Sequence, residues 1–131
     1  MSLFYFVKVR RKKINKKLER LNLAKYKERA RAMVLEKIIY WNQFYNFSYN
    51  RVFTKAQATR WGSCSSRGNL NFNYKIFLLP PRLADYIIVH ELCHLGEFNH
   101  SRSFWNLVAQ TIPNYMELRN ELKSINMRLL I

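Results

Sequence analysis

Apolar and polar positions alternate with different rhythms along this 131-residue chain, and each rhythm predicts a different element. From Ala24 to about Phe47, the apolar residues Met33, Val34, Ile38, Trp41, Phe44 and Tyr45 recur largely at steps of three and four. That spacing places them on one stripe of an amphipathic helix. From Asn69 to Ile76 the period is two: Leu70, Phe72, Tyr74 and Ile76 alternate with Asn69, Asn71, Asn73 and Lys75, which predicts a half-buried strand. The preceding segment, Asn50 to Cys64, reads as extended, and Ser65 to Gly68 as the turn that closes a hairpin.

Beyond Pro80 the rhythm becomes helical again. Pro81 suits the first turn of a helix that runs to about Leu95, and Gly96 is placed to end it with a positive φ. Ser101 can cap a further helix, and Pro113 opens a last one with Tyr115, Leu118, Leu122 and Ile125 on one face. The order predicts an α+β fold. An N-terminal helix packs on a small, mostly antiparallel sheet, followed by a central helix and C-terminal helices. The length fits one domain over residues 1–131, with a basic arm over about residues 1–23.

Charge sharpens this picture. The net charge is +15, yet residues 1–31 carry 12 of the 23 Lys and Arg against two of the eight acids, so two thirds of the excess sits in the first quarter. Clustered cations of this kind can grip nucleic acid through its phosphates, or serve only as a solvated face. Nearly half of the residues are hydrophobic, which predicts a folded chain despite the charge. No run reaches the roughly 18 apolar residues that cross a bilayer, and the opening Leu3 to Val7 is too short for a signal-peptide core. Cys64 and Cys93 form neither a C-x-x-C pair nor a disulfide framework and read as small buried hydrophobes. These features point to the cytoplasm.

The chemistry is concentrated in Val89 to His100, VHELCHLGEFNH, which holds all three histidines of the chain. On a helix, His90 and His94 present two imidazoles on one face, a spacing that suits zinc, with Glu91 beside them to act on a water. A catalytic zinc takes a third protein ligand and keeps one open position. His100 can supply it if the chain turns back after Gly96. Glu97 is the acidic rival, but it lies so close to His94 that the helix would have to unwind at once.

Three blocks, Thr59 to Asn73 (TRWGSCSSRGNLNFN), Asp85 to Leu95 (DYIIVHELCHL) and Asn99 to Trp105 (NHSRSFW), resemble in order and spacing the YgjP-type domain of predicted zinc-dependent metallopeptidases. That domain is similar in turn to the SprT-type and WLM-type proteases of the zincin class. The resemblance implies one zinc ion per chain on His90, His94 and His100, with Glu91 as the catalytic base, hydrolysing a peptide or protein substrate. The spacing also equals that of the metzincin pattern H-E-x-x-H-x-x-G-x-x-H, but position 97 is Glu rather than Gly, and Met116 falls in a helical segment. Metzincin membership is therefore rejected.

Arg60 and Trp61 either border a substrate cleft or pack structurally, and Arg60, Tyr74 and Arg102 are candidates to stabilise an oxyanion. Two alternatives stand beside the peptidase. One is a non-catalytic nucleic-acid-binding module with a structural zinc; the other is a protease acting on DNA-bound proteins, as the likeness to SprT-type proteins implies.

Overall fold

The computed structural model describes the backbone of residues 3–130 and the side chains of residues 16, 19–128 and 130. The first helix, α1 (Leu3–Asn42), is longer than its apolar stripe requires. At 1.5 Å per residue, its 40 residues extend about 60 Å. Tyr26 meets Tyr74 and Phe77 edge-on. From there Ala30, Val34 and Ile38, four residues apart, are fully buried, with Met33, Leu35 and Trp41 packed around them. Phe44 does not join the stripe: it is 54% exposed, because the helix has already ended at Asn42. Asn46, at φ 58°, takes the left-handed conformation that ends many helices, and the Asn42 side chain bonds both the N–H and the carbonyl of Phe47.

Strands β1 (Val52–Lys55), β2 (Gly62–Cys64) and β3 (Leu70–Asn73) follow. The sheet order is β1-β3-β2, so β3 is central and β2 is an edge. The α+β layering holds, and the sheet itself is mixed: β2 runs antiparallel to β3, but β1 runs parallel to it. The expected hairpin is β2–β3, closed by the Gly68 N–H donating to the Ser65 carbonyl, with Gly68 at φ 81°. Leu70 and Phe72 alternate into the core as expected.

The period-two pattern overstates the strand, however, which stops at Asn73 and gives way to a short 3₁₀ turn (Tyr74–Leu78). Asn73 is the cause. Its Oδ1 accepts from Lys75 N–H and caps that turn, while its Nδ2 donates to the carbonyls of Gln57 and Arg60. A residue that alternation assigns to the wet face is fully buried. It holds the loop between β1 and β2 in place.

Helix α2 (Pro81–Cys93) is covered on nearly every side, with Leu83, Tyr86, Ile87, Ile88, Val89 and Leu92 buried. Its Asp85 accepts from Lys37 (2.6 Å) and from Trp41 Nε1 (3.1 Å), tying it to α1. Ser101 caps α3 (Arg102–Thr111) by accepting from the Phe104 N–H. Helix α4 (Tyr115–Ser124) then packs across α2, with Leu118 buried beneath it. Among the described residues, no helix is long and apolar enough to cross a membrane.

Candidate metal centre

Three histidines separated by up to ten positions in the chain meet at one point. The Nε2 atoms of His90 and His94 lie 3.2 Å apart, those of His94 and His100 3.1 Å, and those of His90 and His100 3.2 Å. The helical repeat brings the first two together. The third arrives because α2 ends at Cys93, so that the chain turns through Leu95 and Gly96 and doubles back before the Ser101 cap.

Gly96 serves that turn for a reason other than the expected one. It does not have a positive φ. Instead, a Cβ there would lie 2.9 Å from two ring atoms of Phe47 and 3.2 Å from Leu107 Cδ1, so the position is glycine because the neighbouring side chains leave no room. Phe47 in turn is held by Asn42 and by stacking on Tyr45.

The triangle fits a metal. A tetrahedral zinc about 2.0–2.1 Å from each imidazole sets its ligand nitrogens about 3.3 Å apart. The observed edges of 3.1–3.2 Å are close to that and leave one face open. Tautomers and orientations are set from behind. His94 Nδ1 lies 3.0 Å from the Glu97 carbonyl, which requires that nitrogen to carry the proton and leaves Nε2 free as a lone pair. His90 Nδ1 meets the Tyr86 hydroxyl at 3.3 Å. Phe104, fully buried, forms the floor, its ring 4.3 Å from that of His94 and roughly parallel to it. Trp105 stacks on His100 from the side. The Glu97 carboxylate is not part of the cluster.

Burial pushes the pKa of His90 down to about 3, helped by the fields of His94, His100 and Arg119, and burial also lowers that of His94. Both are therefore neutral, ready to donate lone pairs at neutral pH. Glu91 is raised to about 8 by burial, with Arg60 acting against the shift. A divalent cation on the triad would favour its ionised form. Cys64 and Cys93 are free thiols raised to about 11 and about 12, chiefly by burial, which agrees with inert packing rather than nucleophilic chemistry.

Glu91 lies on α2 between two adjoining cavities. One is bordered by all three histidines, Phe98 and the whole of β2. The other runs under Arg60 and Trp61 toward α4. Of the residues considered from sequence for the cleft, Arg60 and Trp61 line it, whereas Tyr74 is turned away against Tyr26. Arg102 lines neither cavity.

Two residues escaped sequence reasoning. A Cβ on Gly62 would lie 3.0 Å from Glu91 Cγ and 3.1 Å from its Oε2, so the glycine lets the carboxylate rest against the strand. Arg119 sits over the Trp105 ring and lines the second cavity. The only sequence signal for either was the dipeptide Trp61-Gly62 and the i, i+4 pair of Arg119 with Lys123.

A helix-first α+β fold with three imidazoles converging beside a buried carboxylate is the arrangement of a metallopeptidase. The family model described as YgjP-like, metallopeptidase domain matches residues 5–125, and the chain belongs to that family. Among solved structures, the chain is similar to the metallopeptidase zymogen abylysin of Pyrococcus abyssi, with a TM-score of 0.63 and 21% identity over 70% of this chain and 92% of that one. It is also similar to the metallopeptidase zymogen jannalysin of Methanocaldococcus jannaschii, with a TM-score of 0.51 and 26% identity over 73% of this chain and 97% of that one. A comparison with curated protein sequences returns no match. Met116, half exposed on α4, forms no Met-turn, in keeping with the rejection of metzincin membership.

Proposed function

We propose that the protein is a zinc-dependent peptidase in which His90, His94 and His100 hold one zinc ion and Glu91 is the general base. The observation that carries this reading is the 3.1–3.2 Å triangle of Nε2 atoms with the Glu91 carboxylate bordering the same cavity. Zinc held there supplies Lewis acidity toward a peptide carbonyl and toward water. Glu91 takes the proton of the attacking water and delivers it to the leaving amine nitrogen. Phe104 keeps the inner side of the site dry, which strengthens every charge interaction across it.

The substrate backbone has a place to bind. Asn73 N–H donates to the Trp61 carbonyl and Ser65 N–H to the Asn69 carbonyl, so residues 61, 63 and 65 face β3. By alternation, the N–H and C=O of Gly62 and Cys64 point to the open side of the edge strand. That rim borders the cavity of the three histidines. An extended peptide can pair with it and pass its carbonyl before the imidazoles.

The test is metal content beside turnover. The parent should hold about one zinc per chain and His94→Ala almost none, whereas Glu91→Gln should keep the metal and lose hydrolysis. Full peptidase activity in Glu91→Gln would overturn the mechanism.

We treat residues 1–131 as one metallopeptidase domain, and the two free cysteines favour a reducing cytoplasm. A second reading concerns the basic arm. Helix α1 continues through it, and residues 19–25 are exposed. The basic side chains at 8, 10–13 and 17 lie outside the described residues. A charged helix suits the phosphates of nucleic acid, either for a peptidase that acts on DNA-bound proteins or for a non-catalytic module. DNA-stimulated hydrolysis that disappears when the arm is deleted supports the first. Salt-sensitive DNA binding with no turnover of any peptide supports the second.

A further inference from the structure

The second cavity beside Glu91 has a composition of its own. Its walls are apolar, from Trp61, Tyr86, Ile87, Leu122, Ile125 and Met127, and it has a volume of about 380 Å³. Three cations, Arg60, Arg119 and Lys123, also line it. The only acid among the described residues that lines it is Glu91. Among the described residues, the ion pairs are Lys37–Asp85 and Arg82–Glu121, so none of the three cations has a carboxylate partner within 4 Å.

This is more than the general basicity of the chain. Two thirds of the net charge lies in residues 1–31, on the opposite side of the sequence from these groups. Arg60 comes from the loop before β2, held in place by the buried Asn73. Arg119 and Lys123 are one helical turn apart on α4 and so share its face toward the cavity. Arg119 is further steadied over the Trp105 ring, 5.1 Å from its centroid, and Trp105 stacks on His100. An apolar chamber lined also by unpaired cations is complementary to a carboxylate on a hydrocarbon stem.

We propose that this cavity is a specificity pocket that selects substrates bearing a carboxylate beside the scissile bond, with Arg60, Arg119 and Lys123 as its recognition groups. The carboxylate can belong to an acidic side chain or to the end of the peptide. The inference rests on the peptidase reading, because the pocket and the metal centre share His90 and Glu91 as a common wall.

The experiment uses the zinc-loaded full chain and a set of peptides that differ at one position, Glu, Gln or Lys, each with a free or an amidated C-terminus. A charge-assisted contact of the usual strength predicts kcat/KM about tenfold or more higher for Glu than for Gln, and lower still for Lys. A gain that follows Glu whatever the terminus assigns the pocket to a side chain; a gain lost on amidation assigns it to the terminal carboxylate. Lys123→Glu, an exposed substitution, and Arg119→Glu should each shrink the Glu-over-Gln ratio, and together they should reverse it in favour of Lys. Equal rates across the whole set, for Glu, Gln and Lys and for free and amidated termini alike, would overturn the pocket and leave the peptidase reading intact. If no peptide is turned over, the peptidase reading falls, and binding of the same peptides to the same protein decides the pocket. Tighter binding of the acidic set would support it, and equal binding would overturn it.

Discussion

Replacing Gly62 with alanine isolates the placement of the proposed base from its chemistry. The added Cβ would meet Glu91 Cγ at 3.0 Å, Glu91 Oε2 at 3.1 Å and the Asn71 carbonyl at 3.1 Å. The Asn71 oxygen is backbone in the central strand and cannot retreat without breaking the sheet. The carboxylate must therefore give, by about 0.3–0.5 Å, to restore ordinary contact distances. Misplacement of a reacting group by 1 Å can cost about 100-fold, so a shift of this size predicts about a tenfold fall in kcat.

Stability should change much less. Alanine gains about 0.5–1 kcal/mol over glycine in a strand, while overpacking costs about 1–3 kcal/mol, a net loss of about 0–2.5 kcal/mol. The assay is single-substrate kinetics on zinc-loaded protein, with metal content and urea denaturation on the same preparation. Loss of kcat with metal and fold retained is the expected result. Parental kcat in Gly62→Ala would refute the idea that the strand positions Glu91.

Other outcomes follow from the packing and electrostatics of the centre. Gly96→Ala drives a methyl into the pinned Phe47 ring at 2.9 Å and should cost about 1–3 kcal/mol, read as a lower midpoint in urea; an unchanged midpoint would show that the ring yields freely. Tyr86→Phe removes the hydroxyl at 3.3 Å from His90 Nδ1 and should weaken zinc binding about tenfold in a chelator competition. A parental affinity there would rule out orientation of His90 by Tyr86.

The metal-free protein should also lose stability from pH 6 to pH 8. Glu91, raised to about 8 in the fold from an ordinary 4.5, binds its proton more tightly folded than unfolded, and that advantage disappears as pH rises through 8. The loss is roughly 2 kcal/mol for this group. Over the same range, His90, lowered to about 3 from 6.5, and His94, also lowered, offset part of this loss as the unfolded imidazoles become neutral, about 0.8 kcal/mol for His90. Glu91→Gln should abolish the decline, and an identical pH profile in parent and variant would count against a protonated Glu91.

Much of the centre was legible because it depends on local periodicity. The i, i+4 pair His90 and His94 needs only a helix, and the apolar run from Leu83 to Leu92 guarantees one. The Ser101 cap and the Ser65–Gly68 turn are equally local, fixed by a side-chain oxygen in one case and a positive φ in the other. The third histidine could be anticipated from a helix stop, though not the reason for the glycine there.

Other features were settled only in three dimensions. Period-two alternation could not reveal that Asn73 turns inward, because carbonyls from a loop some 13 to 16 residues earlier become its partners. The direction of β1 depends on how the chain crosses back to the far side of β3, which no local pattern encodes. Gly62 became interpretable once Glu91 from another element was seen to lie against it. Arg119 and Lys123 were ordinary surface charges until α4 packed over α2 and turned them toward the cavity beside the metal centre. The sequence by itself determined the helix, the paired imidazoles and the acid beside them, since backbone geometry over four residues suffices. Tertiary packing decided the convergence of His100, the seat of Glu91 and the charge of the neighbouring pocket, because each requires side chains from distant segments to share a few ångströms of space.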